Sequence, residues 1–276
     1  MSFPRCPSLF ACLLLALAAP AHAIVGGTPT TAFGQVSNGV QIAPNWVLTA
    51  RHVGYAVGGG YANGYGASTV AARYDAIDAG VPFPTLDLAL LRLATPIAAP
   101  ALSLNSSILA ESDAYAIPAT MVTAQNQAPR GYAPTTVREF APKADPDDEG
   151  PKTPVDVMWL VSYPDGFGAP YVQSGDSGGA LFIGHVSDAL TPLWGITSAQ
   201  LYDEDEQGQR SNFRSAFVQL GNFRSWIDTT MSADLADTQL AAWVQTSAVP
   251  EASPATLLVL GLLALLRLCG RRNRLA

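Results

Sequence analysis

Apolar residues along this chain gather in short runs punctuated by Gly, Pro and Asn, and they seldom recur at helical spacing. "GVQIAPNWVLTARHV" (39–53) is a strand, a Pro-Asn turn and a second strand, rich in Val, Ile, Leu and Trp. "TLDLALLRL" (85–93) is apolar at odd and even positions alike, which predicts a strand buried on both faces. "GALFIG" (179–184) and "PLWGIT" (192–197) have the same character. In the core only "NFRSWIDTTM" (222–231), with Phe223, Trp226 and Ile227 at helical spacing, predicts a helix. The pattern as a whole predicts an all-β protein closed by a C-terminal helix.

Both ends depart from it. Residues 1–23 have the form of a signal peptide: Arg5, an apolar core from Leu9 to Ala19, and Ala21-His22-Ala23 as a small-residue cleavage site. At the other end "VPEASP" (249–254) leads into "ATLLVLGLLALL" (255–266) and then Arg267, Arg271, Arg272 and Arg274. An apolar run of this length, extended by a snorkelling Arg267, predicts a short membrane segment over about 255–268 with its arginines on the cytoplasmic side. The tail, 249–276, resembles a PEP-CTERM sorting signal, although Ala252 stands where that motif has its last proline. The resemblance implies an exosortase-type sorting enzyme, a Gram-negative bacterial host and a protein exported to the periplasm or cell surface. Residues 232–248 are predicted to be a linker.

Composition refines this picture. The chain has 276 residues with 24 Gly and 21 Pro, and only 13% are charged. Residues 24–249 carry 10 Lys/Arg against 21 Asp/Glu, a balance of −11, which argues against a nucleic-acid partner. The cysteines, Cys6, Cys12 and Cys269, all lie in the terminal segments, so the domain between them has no internal disulfide. The acidic stretches 141–156 and 202–212 read as solvated loops, and neither has the spacing of a calcium loop. No metal site is predicted.

The chemistry concentrates in "SGDSGGA" (174–180). Flanking glycines allow a tight turn that projects Ser177 and leaves the N–H groups of Gly175 and Ser177 free to form an oxyanion hole. A serine nucleophile needs a base. His22 belongs to the leader and His185 reads as a surface-loop residue, which leaves His52 at the end of "VLTARH". Asp87, set among apolar neighbours, needs a hydrogen-bond partner, and an imidazole N–H serves.

"IVGG" (24–27), "VLTARH", "DLALLRL", "GDSGGAL" and "LWG" follow one another in the order found in trypsin-like serine endopeptidases, which this chain resembles from Ile24 to about Met231. The resemblance implies a chymotrypsin-like fold of two antiparallel six-stranded β-barrels, the first over 24–110 and the second, with the C-terminal helix, over 111–231. It implies Ser177 as nucleophile, His52 as general base and Asp87 as its orienting carboxylate, acting on a protein or peptide substrate with no cofactor. It also implies that a free amine on Ile24 pairs with Asp176. Here the "IVGG" run directly follows the leader, so signal peptidase is the expected activator.

By the same resemblance Tyr171, Trp194, Gly195 and Ser215 line the substrate pocket, where Tyr171 and Ser215 imply a small, uncharged site. Val53, Gln173 and Ser198 fall where the family has cysteines. Leu193 stands where the family has a serine that supports the aspartate, so Asp87 is expected to have one donor fewer. The alternative to an enzyme is an inactive homologue serving as a surface binding module, which would be expected to have lost one of the three site residues.

Overall fold

A computed structural model describes residues 23–76, 86–109, 116–124, 130–140, 159–163, 170–187, 191–234 and 239–246. The leader up to His22 and the tail 249–276 lie outside these residues. Among the described residues, no helix is long and apolar enough to cross a membrane.

The first unit contains β1 (Thr28–Thr30), β2 (Val40–Ala43), β3 (Trp46–Thr49), β4 (Gly60–Asn63), β5 (Gly66–Asp75) and β6 (Ala89–Leu93). Five of these form an antiparallel sheet in the order β2-β3-β6-β5-β4, while β1 crosses to the second unit. The predicted Pro-Asn turn joins β2 to β3, and Asn45 ties it to β6 by exchanging hydrogen bonds with the Leu93 backbone. The second unit contains β7 (Ser103–Asn105), β8 (Ile117–Thr123), β9 (Arg130–Phe140), β10 (Trp159–Tyr163), β11 (Ala180–Ile183), β12 (Leu193–Glu204) and β13 (Arg210–Gln219). Its sheet runs β11-β8-β9-β10-β13-β12 and closes through β11–β12, giving a six-stranded barrel without free edges. The arrangement is the all-β, chymotrypsin-like one that the sequence predicts. Its first unit is a half-barrel of five strands among the described residues, where six were predicted.

Strand alternation explains why these strands are apolar on both faces. In β6, Leu91 and Leu93 face the interior of the first unit with Val47, Tyr61 and Val70. Leu88 and Leu90 point the other way, into a core shared with Phe182, Ile196 and Val218 of the second unit. The second barrel repeats the division: Leu181 and Phe217 fill its interior, while Ala180, Phe182, Ala216 and Val218 face the first unit. Each unit thus presents a continuous apolar wall to the other, and the cleft between them is fixed by a packed core.

The predicted helix is α1 (Arg224–Ala233), which buries Ile227 and Met231, one turn apart, against that shared core. Beyond it, the predicted linker is in part an element of the fold. Residues Ala242–Val244 form β14, which pairs in parallel with β7. The Trp243 indole N–H donates to Asp228 Oδ1 at 2.7 Å, and Ser107 Oγ donates to the Thr246 carbonyl at 2.7 Å. A half-buried aromatic ring with a satisfied N–H accounts for a strand that period-2 patterning over three residues could not reveal. Truncation after Asp234 is expected to lower stability by about 2 kcal/mol relative to truncation after Thr246, read as a shift in the urea midpoint at unchanged slope.

Candidate active site

His52 follows β3 on a single turn of 3-10 helix, Arg51–Val53, which ends on Gly54 in the left-handed conformation at φ 72°. Arg73 on β5 holds this turn from below. Its guanidinium donates to the carbonyls of Arg51 at 2.5 Å and Tyr55 at 2.9 Å, and to Asp75 at 2.7 Å. Asp87, just before β6, is completely buried. Its Oδ1 accepts the His52 backbone N–H at 3.0 Å and its Oδ2 accepts the His52 Nδ1–H at 2.7 Å. A carboxylate can only accept, so this contact sets the tautomer: Nδ1 carries the proton and Nε2 presents a lone pair. That lone pair lies 2.7 Å from Ser177 Oγ. The three residues singled out in the sequence therefore form one unbroken hydrogen-bonded row.

The expectation that Asp87 lacks a donor is corrected by the structure. Ser198 Oγ donates to Asp87 Oδ2 at 2.5 Å. In β12 the serine that supports the aspartate is Ser198, four residues beyond Trp194, and the cavity residues Ala199 and Gln200 follow it. Trp194 is instead buried inside the second barrel. Gly195 lies against Phe217, where a Cβ would come within 3.0 Å of the phenylalanine Cβ. Neither residue reaches the cleft. Ser198, assigned from the sequence to a disulfide position, is instead a partner of Asp87.

Ser177 sits at the apex of a turn whose shape Gly175 (φ 96°) and Gly178 (φ 84°) permit. A Cβ on Gly178 would fall 2.1 Å from the Asn38 carbonyl oxygen, so only glycine fits there. Asn38 grips the same turn with its side chain, donating to the carbonyls of Gly175 at 2.8 Å and Ser177 at 3.3 Å. Thr49 Oγ1 holds Asn38 in turn through its carbonyl, at 2.6 Å. The first unit thus clamps the serine loop of the second. Neither Asn38 nor Arg73 carries a sequence signal, because each works through backbone carbonyls that only the fold brings near. The amides of Gly175 and Ser177 donate to no other protein group among the described residues.

Asp176 is buried and accepts hydrogen bonds from Thr123 Oγ1 and the Gln173 N–H, each at 2.8 Å. Ile24 is buried in the interior core of the same barrel, beside Val172. Val25 and Tyr171 exchange backbone hydrogen bonds at 3.0 and 3.3 Å, which seats the "IVGG" segment against the stretch of chain leading to the serine turn. Ala23 precedes Ile24 and is equally buried, so in the uncut chain the Ile24 nitrogen is an amide.

A cavity of about 220 Å³ opens beside Ser177, between residues 172–174 and 197–200. Tyr171 and Ser215, expected in its lining, stand behind it. The Tyr171 ring stacks on Phe213 at 4.5 Å, and Ser215 Oγ accepts the Val172 N–H at 3.0 Å. The acidic run Asp203–Glu206 is the end of the β12–β13 hairpin, with Asp203 paired to Arg214 and Glu204 to Arg210. Among the described residues no cluster of His, Cys, Asp and Glu could hold a metal ion. His185 lies apart from the cleft, near the Thr135 carbonyl at 3.3 Å.

With this geometry in view, the family can be stated. The trypsin family model matches residues 21–227, most of the chain. The chain belongs to the trypsin family. No curated protein matches it by sequence. In this trypsin-family site, the hydrogen bond to Asp87 raises the His52 pKa above the ordinary 6.5, with burial opposing it less strongly. The sign is testable by NMR of the His52 ring. Its titration midpoint is expected above 6.5 in the native protein. In Asp87→Asn it should fall below 6.5, since the carboxylate is gone and only the burial penalty on the charged ring remains.

Proposed function

We propose that this trypsin-family protein is an exported serine endopeptidase. The observation that carries the reading is the row Asp87–His52–Ser177, whose two side-chain links are both 2.7 Å long. His52 Nε2 accepts the Ser177 proton as Oγ attacks a peptide carbonyl. The resulting imidazolium is stabilised by the buried Asp87 carboxylate, and it then returns the proton to the departing amine. Water, deprotonated by the same imidazole, releases the acyl group from Ser177. The amides of Gly175 and Ser177 receive the charge that develops on the carbonyl oxygen, and the Asn38 clamp holds them ready before substrate arrives.

Activation follows from the position of Ile24. Cleavage after Ala23 turns a buried amide nitrogen into an amine in the barrel that also holds the Asp176 carboxylate. A buried ion pair there fixes the serine turn, and loss of either partner from such a pair costs about 3–5 kcal/mol. Signal peptidase makes this cut, so the enzyme leaves the cytoplasm already competent. The tail then delivers it, by exosortase-type sorting or as a membrane anchor, to the periplasm or surface of a Gram-negative cell.

Expression with the leader intact, followed by N-terminal sequencing and treatment with a fluorophosphonate probe, tests both parts. The expected result is an Ile24 start with labelling at Ser177, abolished in Ser177→Ala together with a loss of about 10⁴-fold or more in kcat/KM. A labelled protein starting elsewhere refutes activation by signal peptidase. An Ile24 start without labelling refutes the enzyme and favours a binding module. Asp176→Ala is expected to be inactive at every pH, and native activity should decline above about pH 8 as the Ile24 amine loses its proton.

A further inference from the structure

A second concavity, sharing no lining residue with the cavity beside Ser177, lies where the end of the described chain meets the first unit. This groove, about 340 Å³ in volume, is lined mainly by Ile42, Pro44, Pro100, Leu102, Leu240 and Ala242. One of its walls belongs to the segment that carries β14. Alternation along that segment turns Ala241 and Trp243 onto the shared core and leaves Leu240, Ala242 and Val244 facing outward. Leu240 is 58% exposed and Val244 37%, and β14 is the last strand of its sheet, so the row lies at an open edge. The stretches that contribute the groove's lining, 39–50, 95–109 and 239–250, contain no charged residue, in a domain whose balance is −11.

Length and charge together select what meets this face. The chain beyond Thr246 reaches the apolar run 255–266 after only eight residues, 247–254, which fully extended span no more than about 30 Å. A domain the size of residues 24–249 is roughly 45 Å across, so a membrane holding that run meets the side from which the chain leaves. Charge acts in the same sense. An anionic leaflet repels an acidic domain, and a face built of uncharged segments is the one it tolerates.

Resting on the membrane-anchor part of the reading above, we propose that this face is a lipid-docking surface. Leu240, Ala242 and Val244 enter the headgroup layer, and the groove beside them receives the upper part of an acyl chain. Three small aliphatic side chains bind lipid weakly by themselves. The short tether makes the contact intramolecular, at an effective concentration on the order of millimolar, so a weak affinity suffices. Docking then gives the protein one orientation on the membrane in place of free rotation about its tether.

The test uses the full mature chain in vesicles of phosphatidylethanolamine and phosphatidylglycerol, with or without lipids spin-labelled in the upper acyl chain. Residues 24–249 have no cysteine, so with Cys269→Ala a fluorophore can be placed singly, through Val244→Cys or Glu206→Cys. Glu206 sits at the exposed tip of the β12–β13 hairpin, at the opposite end of the twelve-residue β12 from its contact with β7. Spin-labelled lipid is expected to extinguish most of the emission at position 244 and little at position 206. Leu240→Glu sets a carboxylate against the leaflet and should lower the ratio of docked to undocked protein about fivefold. These exposed substitutions should leave the thermal unfolding midpoint unchanged. Vesicle-bound protein quenched equally at both positions, or unaffected by Leu240→Glu, overturns the docking and leaves the anchor standing. Quenching at position 244 that needs no spin label and grows with the number of copies per vesicle assigns the face to a second copy, and overturns the docking as well. A protein that does not float with the vesicles overturns the anchor, and the docking with it. None of these readouts uses Ser177, whose fluorophosphonate labelling tests the endopeptidase separately.

Discussion

A single buried carboxylate holds the two halves of this protein in their working relation. Asp87 is shut off from solvent, where an ionised carboxylate is stable only if surrounded by donors. Two of its donors come from His52 in the first unit and the third from Ser198 in the second. Any slip of one unit past the other would strip the carboxylate of a partner. The apolar walls give the interface its adhesion, which is non-directional, whereas Asp87 gives it a register. The cleft geometry is therefore coupled to the packing of the whole molecule.

The serine turn shows the same division of labour. Its positive-φ glycines supply shape but no stiffness, and the domain has no cysteine to staple it. Asn38 takes over that task from across the cleft, reaching two carbonyls of the turn while its own carbonyl is pinned by Thr49. Rigidity comes here from a relay of backbone acceptors. Gly178 is the counterpart of that relay, because the Asn38 carbonyl occupies the space any side chain would need.

What the sequence made legible follows from how local each signal is. His52, Asp87 and Ser177 lie in compact motifs, so the fold class and the hydrogen-bonded row could be anticipated residue by residue. The nine-residue stretch "TLDLALLRL" was equally readable, since burial on both faces leaves its mark on both parities. The role of Ser198 is not legible in the sequence, because a strand of twelve residues offers several places to fit one Trp-Gly pair and only pairing with β11 and β13 decides its register. Tyr171 and Ser215 do not line the cavity, because the Tyr171 ring turns onto Phe213 and the Ser215 hydroxyl onto the Val172 N–H, orientations that no local sequence pattern sets. Arg73, Asn38 and the short β14 act through contacts remote in sequence, and nothing in their own surroundings announces them.

The pairing of β14 with β7 also sets how mechanical load travels. A pull on the chain from beyond Thr246 meets the three-residue ladder to Ser103–Asn105 first, reinforced by the Trp243–Asp228 bond, before it reaches α1. The ladder and its side-chain latch act in series with the body of the protein as a strain relief. Tension applied there would be spent first on peeling a short peripheral strand.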